Sequence, residues 1–297
     1  LLGVVLLVFV LFRHFGGDPA EILGGLQATP QQIAAIRAEL GLDRPWWVQL
    51  GLYLQRILMF DWGRSWATGE PVAELFATRL PATATVMLPI LVLEVVLAVP
   101  LALAIAVRRG GLVDRVAMIV TTIALSVSFL VYIIVGQYLF AYRLGWFPVQ
   151  GWSDSFMTNL FVYAPLPVLL AVAVGLAPQV RLYRSFLLDE LGQDHVRTAR
   201  AKGLPERQVL RRHVLRNAWV PILTNIGLQL PGLFVGSFLI EVFFSIPGLG
   251  REVLLAVNRS DYPVIQAVTV YLAMLTMAVN LLVDVAYRLA DPRVVLR

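Results

Sequence analysis

Cysteine is absent from this 297-residue chain. Disulfides, thiolate metal sites and cysteine nucleophiles are therefore excluded. Histidine is scarce: His14, His195 and His213 are scattered and form no H-x-x-x-H pair, so a histidine-built metal site is not expected. Charge is scarce as well. Only 14% of residues are Asp, Glu, Lys or Arg, against about 25% in a typical soluble domain. No G-x-x-x-x-G-K-[ST] run occurs, so the chain has no P-loop to cradle nucleotide phosphates. Nothing points to a catalytic triad or to a paired acid and base. Enzyme chemistry is not expected of this chain.

Apolar sequence is abundant: 59% of residues are hydrophobic and mean hydropathy is +0.77. These values define an integral membrane protein. Six apolar runs read as spans: Leu1–Phe12, Ala82–Val107, Val116–Tyr142, Leu160–Val180, Ala218–Phe244 and Val264–Leu289. The first begins inside an apolar run without an initiator Met. It is expected to lack a few native residues rather than to be a signal peptide, since no A-x-A-like site follows. The net charge of +5 is concentrated in alternate loops. Arg108, Arg109 and Arg115 lie between spans two and three. Nine basic residues from Arg181 to Arg216 lie between spans four and five. Arg288, Arg293 and Arg297 lie at the C-terminal end. The positive-inside rule places these segments and both termini in the cytoplasm, and it explains the charge better than nucleic-acid binding does.

The expected fold class is an all-α membrane protein with three parts: the first span (1–12), an external helical segment (13–81), and a five-span core (82–297) with a cytoplasmic loop at 181–217. In the external part, Thr29-Pro30-Gln31-Gln32 predicts a helix start, with Thr29 as N-cap and Gln32 completing a capping box. Gly41 stops that helix, and Ile33, Ile36 and Leu40 share one face. Trp46, Leu50, Tyr53, Leu54, Ile57 and Leu58 then recur at helical spacing. Trp46, Trp47, Trp62 and Trp66 suit an interfacial belt. Prolines at 89, 100, 165, 167, 178, 221 and 231 suggest kinked helices around a cavity, although prolines are also commoner in membrane helices.

The loop after span four carries the most information. Span four is expected to extend through Leu187–Lys202. Ala199 and Ala201 keep the surface small, Gly203 ends the helix, and Pro205 opens a second one. Arg207, Arg211 and Arg216 lie on one side of that second helix, and Val209, Leu210, His213 and Val214 on another. Such a compact basic corner either docks in a cleft on a partner or rests on anionic lipid.

This loop, Arg197-Thr198-Ala199-Arg200-Ala201-Lys202-Gly203-Leu204 followed by Arg212-His213-Val214-Leu215-Arg216-Asn217-Ala218, resembles the EAA loop of ATP-binding-cassette importer permeases. The dipeptide/oligopeptide/nickel branch is the nearest match. The likeness runs along nearly the whole chain, through Gly17-Asp18-Pro19-Ala20, Leu40–Pro45, Asp61-Trp62-Gly63-Arg64-Ser65, Gly69–Val72, Arg79–Thr83, Glu241–Gly250, Asp261-Tyr262-Pro263, Asn280–Asp284 and Asp291-Pro292-Arg293. The superfamily's Glu-Ala-Ala is Arg197-Thr198-Ala199 here, and its Leu-Pro is Leu215-Arg216; both departures are typical of the peptide branch. Gly16 and Phe60 also depart from the branch's usual residues.

The resemblance implies the type I importer permease fold. It also implies a homologous second permease, two cytoplasmic ATPases that bind ATP and Mg, and an external substrate-binding protein. No cofactor is bound by this chain. Arg197, Ala199, Ala201, Lys202, Gly203, Leu204, Glu206 and Arg207 are the implied coupling residues. Glu241, Pro247 and Gly248 belong to a motif that holds the loop after span five.

Carboxylates within spans are costly and often functional. Glu94 either faces the cavity and meets a peptide amine, or pairs with a polar group of the second permease. Gln137 and Gln229 are candidates for the same wall. Asp284, four residues before Arg288, suits a structural pair. The expected function is import of dipeptides or oligopeptides across a bacterial cytoplasmic membrane. Nickel chelates or another small solute are the alternative within the same architecture. A proton-coupled carrier is the alternative of another class, opposed by the absence of an inverted repeat and by the elaborate corner.

Overall fold

The computed structural model describes the backbone of residues 1–15, 17–25 and 28–290, with side chains at 14, 15, 234, 235, 283, 284 and 286–290 left out. Gly16, the His14 and Asp284 side chains, the Arg288 partner expected for Asp284, and Arg293 and Arg297 thus lie outside the described residues. Among the described residues fifteen α-helices follow in order. They are α1 (Leu2–Phe15), α2 (Pro19–Gly24), α3 (Pro30–Glu39), α4 (Trp46–Leu58), α5 (Val72–Val107), α6 (Leu112–Ser126), α7 (Phe129–Gly136), α8 (Phe156–Thr158), α9 (Pro165–Leu191), α10 (Asp194–Ala201), α11 (Glu206–Val209), α12 (Leu215–Val235), α13 (Phe238–Phe243), α14 (Leu249–Asn258) and α15 (Tyr262–Ala290). Wide π-type turns at Gln137–Arg143, Asn159–Tyr163 and Leu210–Val214 join some of them. Among the described residues the only β pairing is an isolated bridge between Arg64 and Pro71.

Long apolar helices dominate because a chain in lipid must satisfy its backbone internally. Among the described residues, α5, α9 and Tyr262–Leu282 of α15 are long and apolar enough to cross a bilayer. A fourth candidate is the pair α6 and Phe129–Arg143, bent by 88°. Helix α1 is a shorter apolar helix. Helix α12, where span five is expected, is not among these candidates, and it carries Arg216, Asn217, Thr224, Asn225 and Gln229. Helix α5 begins at Val72 rather than Ala82. Its 36 residues give a length of about 54 Å, well beyond a hydrocarbon core of roughly 30 Å.

The expected third span is not one helix. It breaks at Val127, whose φ of −93° and ψ of 129° are extended. Neither proline nor glycine causes the break. The Thr121 and Thr122 hydroxyls both donate to the Met118 carbonyl, at 3.1 and 2.7 Å, and Ser126 donates to Thr122 at 2.9 Å. Such back-bonding bends helices. The Tyr132 hydroxyl then donates to the Ala124 carbonyl at 3.1 Å, capturing an acceptor near the broken end. The expected fifth span is likewise interrupted, by Gly236 at φ +78° with Ser237 capping α13. By contrast Pro81, Pro89 and Pro100 sit inside continuous α5, Pro178 inside α9, and Pro221 and Pro231 inside α12. The interruptions at Val127 and Gly236 thus lie away from prolines, whereas the expected fourth span is divided at a proline: its first residues form the π turn Asn159–Tyr163, and α9 starts at Pro165.

In the external segment the capping box forms in full: the Thr29 hydroxyl accepts from the Gln32 N–H, and the Gln32 side chain accepts from the Thr29 N–H at 2.9 Å. Gly41 follows α3 at φ +67°. Ile33 and Ile36 are half-buried, whereas Leu40 is exposed. On α4 the inward residues are Leu50, Tyr53, Leu54 and buried Ile57, while Trp46 and Leu58 face outward. Trp46 and Trp47 are exposed, edge to face with each other. Trp62 and Trp66 instead pack inward, Trp66 against Tyr262.

Among the described residues the buried side chains form four clusters, two of which hold α15 against α1, α4, α14 and the start of α5, and the other two are the larger. One of the larger pair, at the end away from the basic corner, gathers Val86, Ile90, Ile133, Leu166, Ile240 and Ile246. The other gathers Ala98, Ala102, Tyr183, Leu187, Val196, Ala199, Val209, Val214 and Ile222. Helix α5 packs chiefly against α9, and α12 against α15 and α5. A bidentate ion pair links α6 to α9: Arg184 donates to both oxygens of buried Asp114 at 2.8 Å, and the Gly110 N–H joins at 2.9 Å.

Candidate functional site

The basic corner is built by a helix stop and a restart. Helix α9 ends at Leu191 and turns at Gly192, so it does not run on to Lys202; α10 is a separate element. At the end of α10, Gly203 has φ +76°, a conformation that glycine adopts without Cβ strain. Its N–H reaches the Arg200 carbonyl at 2.9 Å, and the Leu204 N–H reaches that of Ala199 at 3.4 Å. This is the Schellman pattern, and the apolar contact that accompanies it is supplied by Leu204 and Ala199, which join the same core. Across the corner Arg200 donates to both oxygens of Glu206, at 3.1 and 2.7 Å. Those hydrogen bonds hold the Glu206 carboxyl below its usual range. The helix that restarts at Glu206 is not short: it runs through the π turn at Leu210–Val214 directly into α12.

Two surfaces result. Arg197, Ala201, Lys202, Gly203, Glu206 and Arg207 are exposed. Val196, Ala199, Val209 and Val214 are buried against Ala102 of α5, Tyr183 and Leu187 of α9, and Ile222 of α12. Ala199 therefore does not form part of the outer surface; its small side chain faces the core. Leu204 is half-buried. His195 lies 3.0 Å from the Asn217 side-chain nitrogen and 3.7 Å from Glu190, tying the start of α10 to α9 and α12.

Of the three residues grouped as one wall, Gln137 lies apart from Glu94 and Gln229. The Gln137 amide donates to the carbonyls of Val149 and Phe243, both at 3.0 Å. It ties a loop to α13, so its polar group is already used structurally. Gln229 donates to Asn225 at 2.6 Å, and Asn225 also accepts from the Tyr183 hydroxyl at 3.2 Å. Glu94 lies against Gly175 of α9, where a Cβ would overlap its carboxylate. On α9, Gly175, Gln179 and Tyr183 recur every four residues and share one face. A polar seam thus runs among α5, α9 and α12, and among the described residues the buried Gln179 side-chain oxygen within α9 meets no hydrogen-bond donor. Gly175→Ala is expected to destabilise the folded chain by about 1–3 kcal/mol through overpacking. Combining it with Glu94→Ala should recover most of that loss. A double-mutant cycle on denaturation midpoints checks this; additive losses would mean that the two positions do not meet.

Glu241 is fully buried. One oxygen accepts from the Thr83 hydroxyl at 2.8 Å and the other from the Arg251 N–H at 2.7 Å. Thr83 in turn accepts from the Leu249 N–H at 2.8 Å. A side chain at Gly236 or at Gly248 would overlap the Glu241 carboxyl. Pro247 is half-buried beside it. Buried Asp261 accepts from the Ser65 hydroxyl, the Trp66 N–H at 3.0 Å and the Ala67 N–H at 3.3 Å. Thr83, Ser65 and Asp261 stand in the motif strings quoted above, but nothing in their spacing assigns them these partners. Nothing in the sequence pairs Asp114 with Arg184, 70 residues away. Tyr183, read as part of the loop after span four, and Asn225, polar within the fifth apolar run, carried no signal of their pairing.

The fold is an all-helical membrane bundle with a rigid basic corner anchored in its core. The family model described as "Binding-protein-dependent transport system inner membrane component" matches residues 98–296, and the model of the N-terminal part of such components matches residues 1–87. The chain belongs to this family: it is an inner-membrane permease of the ATP-binding-cassette importer type, a transport subunit and not an enzyme. A probable peptide ABC transporter permease of Sinorhizobium fredii is 38% identical over 98% of this chain and 94% of its own length. A dipeptide transport system permease of Alkalihalophilus pseudofirmus is 32% identical over 99% and 95%. A glutathione transport system permease of Salmonella choleraesuis is 36% identical over 99% and 94%.

Proposed function

We propose that this chain is one of two permeases of a peptide importer, driven by ATP hydrolysis on two separate cytoplasmic ATPases and fed by an external substrate-binding protein. The transported solute is a dipeptide or oligopeptide, as the names of the relatives suggest. The chain crosses the membrane six times with both termini in the cytoplasm. It divides into the first span (1–12), the external segment (13–81) and the core (82–297).

One observation carries the coupling role. The exposed tip of the corner and the buried interior of the bundle are a single rigid piece. Arg197, Ala201, Lys202, Gly203, Glu206 and Arg207 face outward, while Val196, Ala199, Val209 and Val214 lock the same two helices onto α5, α9 and α12. A push on the tip by an ATPase therefore moves span helices, because a close-packed interface transmits displacement rather than absorbing it. The tip residues touch the ATPase; Ala199 and Leu204 hold the tip in place. Glu94, Asn225 and Gln229, in the seam between the same helices, form part of the solute path.

The test is to tag the chain, extract it gently from native membranes and identify what co-purifies in stoichiometric amount. The expected result is a second permease with P-loop ATPases, and peptide-dependent ATP hydrolysis once the binding protein is added. A lone chain or a homodimer without an ATPase overturns the reading.

A further inference from the structure

One cavity lies outside the coupling tip and the polar seam. It is a groove of about 480 Å³ lined by Gln208, Arg211, Arg212, Leu215, Arg216 and Trp219. These residues follow the corner on the helix that leads into α12. Three guanidinium groups surround the groove and no carboxylate lines it. Among the described residues none of these arginines is in an ion pair, whereas Arg184 and Arg200 are. The floor is apolar, since Leu215 and Trp219 are half-buried against the neighbouring core. Beyond the groove, three or four residues further along the same helix at each step, Val220 and Leu223 are exposed at 42% and 40%. Residues at 212, 216, 219, 220 and 223 share one helix face. That face changes from cationic to aromatic to aliphatic along the axis.

We infer that this groove holds the phosphate headgroup of an anionic phospholipid, with an acyl chain lying along Trp219, Val220 and Leu223. Arginine forks bind phosphate oxygens two at a time. A tryptophan at the boundary suits the headgroup level of a bilayer. Basic pockets beside membrane helices are a recurrent form of anionic-lipid site. An apolar track continuous with the cationic pocket distinguishes a lipid from a soluble phosphate, which would use the arginines alone. Because the groove flanks the helix that joins the corner to α12, a bound lipid would brace the part of the chain that moves. The inference does not depend on which solute is carried.

The test uses the assembled complex in nanodiscs of phosphatidylcholine with and without phosphatidylglycerol, read by native mass spectrometry of retained lipid. Wild type should retain phosphatidylglycerol in preference to phosphatidylcholine. Each surface-proximal arginine contributes about 1 kcal/mol, so each single change, Arg211→Gln, Arg212→Gln or Arg216→Gln, should weaken retention roughly fivefold. The triple change should weaken it roughly 100-fold. Arg115→Gln, at an exposed arginine outside the groove, should leave it unchanged. The single variants keep the test decisive if the triple variant does not assemble. Undiminished retention in the single variants overturns the inference, as does equal retention of the two lipids by wild type. Loss of a partner subunit from the variants with lipid retention intact also overturns it, and would make the groove a protein interface.

Discussion

Gly203→Pro is expected to reduce ATP-driven uptake by at least about tenfold while leaving solute binding to the external protein untouched. The reasons are local. Gly203 holds φ at +76°, whereas proline fixes φ near −65°. Its N–H donates to the Arg200 carbonyl, and proline has no N–H to give. Lys202, at φ −76° and ψ 3°, would be driven toward extended conformations by a following proline. The stop of α10, its junction with Leu204 and the Arg200–Glu206 clamp all depend on that turn, so the tip would be re-aimed as a unit. Losses of this kind amount to about 3 kcal/mol, more than enough to misplace a docking element. Gly203→Ala separates geometry from bulk. No atom lies within 4 Å of where its Cβ would sit, so the change carries only the left-handed penalty of about 1–2 kcal/mol and should retain much of the activity. Uptake into proteoliposomes and ATP hydrolysis are to be measured side by side. Full uptake by the proline variant would falsify the corner as the coupling route.

The corner was readable in the sequence because its signals are local. Glycine after a basic helical turn and proline two residues later fix a stop and a restart within a few residues, as Thr29 and Gln32 fix the start of α3. Breaks made by competing hydrogen bonds are harder to read. Val116–Tyr142 is an unbroken apolar run, yet the hydroxyls of Thr121, Thr122 and Ser126 compete with its backbone and the chain bends at Val127. Proline misleads in the opposite direction: α5 carries three prolines and remains one helix. The least legible features were pairings between distant residues. Asp114 meets Arg184, and Ser65 meets Asp261, across separations of 70 and 196 residues. A lone acid in a loop has the same appearance in a sequence whether it is solvated or buried against a distant partner. The Gln137 pairing is of the same kind, since its two carbonyl partners belong to other elements. The periodicity after Glu206 was correct, but the π turn at Leu210–Val214 makes that segment the beginning of α12 rather than a separate short helix.

Glu241→Ala should destabilise the chain more than any surface change, by about 3–5 kcal/mol. Removal of the carboxyl leaves the Thr83 hydroxyl and the Arg251 N–H as buried donors without their acceptor, each worth about 1–3 kcal/mol, and leaves an unfilled space beside Gly236 and Gly248. Thr83 is itself the acceptor for the Leu249 N–H, so the loss propagates to the start of α14. Gln is close in shape and can still accept from one of the two donors, so Glu241→Gln is expected to lose about half as much. Gly248→Ala should also be poorly tolerated, because its methyl would occupy the carboxyl's place. Hydrogen exchange gives the decisive reading. Protection of the Leu249 and Arg251 amides should collapse in Glu241→Ala while the amides of Tyr183 and Leu187 in α9 stay protected, since those belong to the core beneath the corner. Uniform loss across both cores would indicate general unfolding, and unchanged protection at Leu249 and Arg251 would remove Glu241 as the anchor of this loop. The expected pattern has a mechanical consequence for a permease. Thr83 lies in the first third of α5, and α5 runs on to the core beneath the corner, so under the proposed coupling Glu241 holds one end of a helix whose other end the corner displaces.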